Sequence, residues 1–155
     1  MQNLGNISGK YLTFRLANEM YGIEILKVRE IIGMMEITPV PQTPGFVKGL
    51  INLRGKVIAV IDLRTKFNLE EKAYTSETCM IIADLVEKQV ALVIDSVCEV
   101  VDIPVSGVEE TPSFGASINT AFIKGIGKME KQVIILLDIE KVFNSEELVK
   151  VQSLT

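Results

Sequence analysis

The sequence predicts an all-β fold of paired small barrels with a short C-terminal helix, and three observations carry that prediction. Short apolar runs bounded by Gly, Pro, Asn or Asp recur along most of the chain, the pattern of many short strands. One unit, Lys48 to Phe67 (KGLINLRGKVIAVIDLRTKF), reads as strand, tight turn, strand and helical turn. That unit has a twin: Phe46, Gly49, Asp62, Leu63 and Phe67 match Phe122, Gly125, Asp138, Ile139 and Phe143, each pair 76 residues apart. Gly, Asp and Phe are not interchangeable fillers, so the matches point to a duplicated β unit. A repeat of two units implies a paired architecture and not a solenoid, which needs three or more.

The segments upstream correspond as well. Gly22-Ile23-Glu24-Ile25 through Val28, Glu30 and Ile31 resembles Ala91-Leu92-Val93-Ile94 through Val97, Glu99 and Val100. At 155 residues the chain is one domain or two intimate subdomains. With 48% hydrophobic and 23% charged residues it can bury a sizeable core, which excludes a disordered chain. Each repeat alone is near the size where one core becomes marginal, so the halves are expected to share an interface and fold together.

In chain order, Met1–Lys10 is polar and reads as frayed. Tyr11–Leu16 alternates and reads as a strand, with Asn18-Glu19 as the turn and Met20–Ile25 as its hairpin partner. Leu26-Lys27-Val28 reads as a helical turn before a strand over Arg29–Glu36. An amphipathic helix over Ile23–Ile32 is the alternative, disfavoured because the repeat partner Val90–Val101 is rich in β-branched residues. Thr38–Gly45 carries Pro39, Pro41 and Pro44 and is a stiff connection.

Gly49–Arg54 alternates, with Ile51 and Leu53 on one face, while Val57–Ile61 is apolar throughout, as in a strand covered on both sides. Gly55-Lys56 is the hairpin signal between them, and Asp62 suits the N-cap of a helical turn through Phe67. Glu70–Glu77 is the polar seam between repeats. Thr78–Leu85, Gln89–Asp95 and Val97–Ile103 are three further strands. Pro104–Ala121 reads as a long loop, of the kind that is more often functional than accidental. Phe122–Leu137 repeats the hairpin, and Asp138–Lys150 is expected to be helical, with Ser145 as a local cap or kink.

Little catalytic chemistry is present. The chain has no histidine, which removes the commonest general base and metal ligand. It contains no Gly-x-Ser-x-Gly, no phosphate-binding GxxxxGK[ST] and no Cys/His cluster; Cys79 and Cys98 read as isolated thiols of a reduced cytosol. Gly125-Ile126-Gly127-Lys128 opens a strand pair and not a helix, which disqualifies it as a phosphate loop. A net charge of −4 without a Lys/Arg cluster argues against nucleic acid as a partner. No signal peptide or membrane-length apolar run is visible. On the residues alone, this is a binding module and not an enzyme.

The runs YGIEILKVREI, TPGFVKGLINLRGKVIAVIDLRTKF, ALVIDSVCEVV and FIKGIGKMEKQVIILLDIEKVFNSEEL, in this order, resemble the CheW family of bacterial chemotaxis adaptors. The resemblance implies two intertwined five-stranded SH3-like β-barrels within residues 11–150. The first barrel is expected mainly over 17–72, and the second mainly over 11–16 and 77–150. It also implies a cytoplasmic, non-catalytic adaptor without cofactor, working at receptor arrays on the inner face of the membrane. There it would couple the cytoplasmic tip of methyl-accepting chemoreceptors to the regulatory domain of the histidine kinase CheA, meeting the membrane only through receptors. A start at Met and an end soon after the last helix favour a free-standing adaptor over a CheW-like domain cut from a larger kinase or receiver-linked coupling protein. From another class, a small β-barrel enzyme or ligand carrier is the competing reading.

Carried over onto matching positions, the family's receptor-facing groove picks out Ile25, Val28, Glu30, Gly49, Arg54, Val97 and Val100. Read without the resemblance, Val28, Val97 and Val100 are ordinary core and Glu30–Arg54 is an exposed ion pair. Phe114 and Glu109 are the implied contacts with the kinase in arrays, although Glu109 stands where some relatives carry a basic residue.

Overall fold

The computed structural model describes residues 7–110 and 121–154. Among the described residues eleven strands are formed: β1 (Gly9–Leu16), β2 (Glu19–Glu24), β3 (Val28–Gly33), β4 (Val47–Leu53), β5 (Lys56–Asp62), β6 (Cys79–Asp84), β7 (Gln89–Ile94), β8 (Ser96–Ile103), β9 (Val108–Glu109), β10 (Ile123–Met129) and β11 (Gln132–Leu137). Two helices join them, α1 (Leu63–Lys66) after β5 and α2 (Ser145–Ser153) at the end. The strands make two sheets, in the orders β3-β6-β7-β5-β4 and β8-β1-β2-β11-β10-β9.

The two sheets are built alike. Parallel pairing of β5 with β7 (Ala59 opposite Val90) matches that of β11 with β2 (Ile135 opposite Tyr21). Antiparallel pairing of β3 with β6 (Val28 opposite Ala83, Ile31 opposite Ile81) matches that of β8 with β1 (Val97 opposite Phe14, Val100 opposite Leu12). A bulge interrupts each β4–β5 type hairpin at the same place, before Gly49 and before Gly125. Each sheet then closes on itself. Thr38, beyond β3, pairs with Leu50 of β4, and Glu109 of β9, beyond β8, pairs with Ile126 of β10.

This topology corrects the sequence-based division. Residues 28–94 form the first barrel, while 9–24 and 96–137 form the second. Thus β2 belongs with the second barrel, and β6 and β7 belong with the first. The chain begins in the second barrel, crosses at Ile25–Lys27 and returns at Asp95.

Local chemistry explains the repeated features. Asp62 accepts from the backbone N–H groups of Arg64 and Thr65, and Asp138 accepts from that of Glu140, so each hairpin ends in an Asp-capped helical turn. Gly49, at φ +142°, has the closest neighbour: a Cβ there would stand 2.1 Å from the Thr38 carbonyl oxygen, so only glycine lets the returning chain close the barrel. The β4–β5 turn is Arg54-Gly55 and not Gly55-Lys56, with both turn residues at positive φ (53° and 89°) and Leu53 opposite Lys56.

Three further expectations are corrected. Residues 7–10 are not frayed: Ile7 fills the second barrel, the Tyr11 hydroxyl donates to its carbonyl, and β1 starts at Gly9. Pro104–Ala121 is not all loop, since Val105–Gly107 makes a 3₁₀ turn and β9 follows. The C-terminal segment is a 3₁₀ turn over Ile139–Lys141 and then α2, whose cap is Asn144, reciprocally bonded with Glu147 in a capping box.

The largest apolar cluster is neither barrel interior. Leu12, Phe14, Leu16, Tyr21 and Ile23 of the second barrel pack with Val47, Ala59, Ile61, Ile81, Ala83, Val90 and Leu92 of the first, and α2 adds Val151. Ile51, Ile58, Val60, Met80 and Ile82 fill the first barrel; Ile7, Tyr11, Ile103, Ile134 and Leu136 fill the second. At the interface the four repeat-matched phenylalanines meet in equivalent pairs, Phe67 with Phe122 (4.6 Å between centroids) and Phe46 with Phe143 (5.8 Å). Removing one barrel would expose the other's half of this core, at about 1.5–3 kcal/mol for each large apolar side chain. The barrels therefore fold as one unit.

Candidate interaction surface

The site is the uncovered margin of the shared core. In antiparallel pairs, directly opposed residues point to the same face. Val28 and Ile31 stand opposite Ala83 and Ile81, and Val97 and Val100 stand opposite Phe14 and Leu12. All four partners belong to the shared core. Because β3 and β8 are the outer strands of their sheets, that core ends at them, and among the described residues no further strand covers it there. Ile31 (42% exposed), Val97 (37%) and Val100 (51%) are left facing solvent, and Val28 and Ile25 are half-buried against the core. Val97 and Val100 are thus not ordinary core residues.

Glu30 and Arg54 also come together, with Arg54 Nη2 2.5 Å from Glu30 Oε2 and the Arg54 side chain 68% exposed. The pair spans the mouth of the first barrel, from the β4–β5 turn to β3. Glu30 stands opposite Ile82, a barrel-interior residue, so it leaves β3 on the face away from Val28 and Ile31. Its carboxylate hydrogen-bonds the Arg54 guanidinium and pushes that group's pKa further up, so Arg54 stays charged at any relevant pH.

Gly49 does not join this surface: it is buried beneath Thr38 and acts through the backbone. Glu109 lies on β9 and makes a 2.6 Å ion pair with Lys128. Phe114 lies outside the described residues. Ile31 was missed as a site residue, yet the sequence carried its signal, because the repeat that matches Val28 with Val97 also matches Ile31 with Val100. Among the described residues no group of three or more His, Cys, Asp or Glu side chains could hold a metal ion, and no helix is long and apolar enough to cross a membrane.

Comparison with known proteins decides the family. The CheW-like domain matches residues 10–147. The chain belongs to the CheW-like domain family. It is 37% identical over 147 residues to the chemotaxis protein CheW of Klebsiella aerogenes, covering 95% of this chain and 89% of that one. It is 31% identical to the chemotaxis protein CheW of Treponema pallidum, covering 92% and 86%. Among solved structures, the scaffolding protein TtCheW of Thermoanaerobacter tengcongensis superposes with a TM-score of 0.82 at 35% identity, covering 90% of this chain and 95% of that one. The chain is also 29% identical to the chemotaxis protein CheV3 of Helicobacter pylori, covering 83% of this chain and 42% of that longer protein. Both the all-β architecture and the short terminal helix of this chain accord with the CheW fold.

Proposed function

We propose that the chain is a non-catalytic chemotaxis adaptor, working in the cytoplasm at receptor arrays, that couples the cytoplasmic tip of methyl-accepting chemoreceptors to the histidine kinase CheA. The observation that carries this reading is the apolar row of Ile31, Val97 and Val100, exposed between the outer strands of two barrels and flanked by Ile25 and Val28. A receptor tip is a helical hairpin, and a helix presents apolar side chains in a stripe that such a row can accept. Arg54, held charged and exposed at the rim, adds a planar fork for an acceptor on the partner, which lysine would not reproduce. The relatives named for chemotaxis and scaffolding support the adaptor role. The kinase contact is assigned to Glu109, on β9, and to Phe114.

The test is co-sedimentation with receptor-containing membranes, with and without CheA. Val100→Asp is expected to lower receptor-dependent sedimentation by about tenfold or more, since it places a charge in the apolar contact. Arg54→Lys should weaken it less, and Arg54→Ala more than lysine. All three should still bind purified CheA. Equal loss of both partners, or full receptor binding by Val100→Asp, defeats the assignment of the row. A second reading, a CheW-like domain acting as part of a longer coupling protein, is favoured only by the match to CheV3.

A further inference from the structure

We propose that the cleft beside the Asp95 crossover is a binding site for a small oxyanion, a phosphate or a short carboxylate. The cleft, of about 170 Å³, is formed by both barrels and the polar segment before β6. Arg15 comes from β1, Arg64 from α1 and Ser96 from β8, and residues 72–75 line a further side. A water's share of liquid volume is about 30 Å³, so the space suits a ligand of about five non-hydrogen atoms.

The duplication supplies a built-in comparison. The other crossover has an equivalent cleft, of about 220 Å³, in which Glu24, Lys27, Asp138 and Glu140 take the places of Val93, Ser96, Asp62 and Arg64. In that twin Glu24 pairs with Lys124 and Glu140 with Lys27, so the chain provides the anions for its own cations. At the Asp95 crossover the carboxylate of Glu24 is replaced by the methyl groups of Val93. The cations there come from Arg15 and Lys72, and neither forms an ion pair among the described residues. One cleft is internally neutralised and the other is not.

The carboxylates that line the cleft are mostly committed elsewhere. Asp95 receives Arg64 and the Ala17 N–H. Asp62 accepts from the N–H groups of Arg64 and Thr65 and from the Tyr74 hydroxyl, at 3.4 Å. Burial and the Asp62 charge push the Tyr74 pKa up to about 12, so that hydroxyl stays a donor. Glu77 alone forms no ion pair, which leaves two unpaired cations against one unpaired carboxylate. Arg64 spends three N–H groups on Asp95 and the Glu70 carbonyl; of its five, one on Nη1 and one on Nη2 remain. Ser96 adds a hydroxyl, and guanidinium forks match phosphate and carboxylate oxygens in pairs. The polar segment is already held in place: the Thr75 N–H donates to Thr78 Oγ1 (2.8 Å) and the Glu77 N–H to Thr75 Oγ1 (3.1 Å). Binding therefore pays little to order it.

The experiment titrates the full isotope-labelled chain with sodium phosphate and, separately, with sodium acetate, at an ionic strength held constant with sodium chloride. Amide shifts at Arg15, Ala73, Thr75 and Ser96 should saturate with a midpoint in the millimolar range, while those at Glu24, Lys27 and Glu140 of the twin cleft stay still. Saturation by phosphate alone assigns a tetrahedral oxyanion, and by acetate alone a planar one. Arg15→Gln and Lys72→Gln should each raise the midpoint by about 2- to 5-fold, as an exposed charge contact allows, and the double variant by about tenfold. Glu77→Gln should lower it by about twofold, since it removes the opposing charge. Arg15, Lys72 and Glu77 are exposed, and the folding of each variant is verified from the same spectra. Shifts that rise with both salts without saturating, or equal shifts at the twin cleft, overturn the proposal. So does an unchanged midpoint in the double variant, or a raised one in Glu77→Gln.

Discussion

The two crossovers between the barrels are held by ion pairs of opposite polarity and unequal strength. Where the chain returns at Asp95, the carboxylate receives both Nε and Nη2 of Arg64 from α1, at 2.7 and 2.6 Å, and also the backbone N–H of Ala17. Where the chain first crosses, at Ile25–Lys27, Lys27 reaches Glu140 of the second hairpin's helical turn at 3.4 Å. Position for position, Arg64 corresponds to Glu140, so acid and base have exchanged sides. The first link is bidentate and mostly buried on the Arg64 side (12% exposed), whereas the second is a single contact between half-exposed groups. Duplication preserved the need for a tie at each crossover and not the residues that make it. The strength of each tie follows from geometry and solvent access.

The largest effect should distinguish the two bulge glycines. Gly49→Ala is expected to cost about 3–5 kcal/mol, from a backbone collision together with an unfavourable φ. Gly125→Ala is expected to cost about 1–2 kcal/mol, because the added Cβ would meet Ile7 at 3.0 Å and the Glu109 carbonyl at 3.1 Å, and the Ile7 side chain can shift. Urea unfolding midpoints measure both. Equal costs would show that the two barrels close with the same tolerance and break the distinction drawn from Thr38.

Next come the crossover ties. Arg64→Ala should lose about 2–3 kcal/mol, since it strands a half-buried Asp95 carboxylate. Lys27→Ala should lose about 0.5 kcal/mol or less. A pH titration of the folded signal sharpens the same contrast. The Arg64 guanidinium beside Asp95, assisted by the Ala17 N–H, holds that carboxyl below its usual range despite partial burial. A depressed folded pKa gives stability that is complete above the ordinary Asp value of about 3.9 and is lost as pH falls through the folded one. Acid unfolding monitored by circular dichroism should therefore begin at higher pH in Arg64→Ala than in the parent, with Lys27→Ala unchanged. An unshifted acid transition in Arg64→Ala would remove Asp95 from the account.

The smallest effect concerns the barrel mouths. Arg54 meets Glu30 in the first, whereas Glu130 and Glu99 share the corresponding positions in the second, where Thr13 Oγ1 instead bonds the Glu99 backbone on both sides. Arg54→Gln should leave the thermal midpoint almost unmoved, because the guanidinium is solvated whether or not it is paired. Thr13→Val should lower it measurably, by about 1–2 kcal/mol, since Thr13 is buried and serves a bulged backbone. Scanning calorimetry of the two variants reverses this order if the mouth ion pair, and not the threonine, holds the edge strands.

Much of the local architecture was legible in the residues. The hairpins, the glycine that follows each bulge and the aspartate after each second strand follow from short-range backbone and capping chemistry, which a sequence states directly, and the four matched phenylalanines follow from the repeat. The resemblance to CheW likewise located Arg54 beside Glu30. The division into barrels was not legible in the residues, because hydrogen bonding between strands does not respect nearness in the chain and places β2 in one sheet and β6 and β7 in the other. Val97 and Val100 read as core because a period of two tells which face a residue takes, and not whether another strand lies beyond it. By itself the sequence determined the repeated unit, the existence of its hairpin and the Asp cap that follows, all set within a few residues of one another. Tertiary structure alone decided the sheet membership of each strand, the partners of Arg64 and Lys27, and the exposure of the apolar row, because each depends on which distant segment arrives alongside.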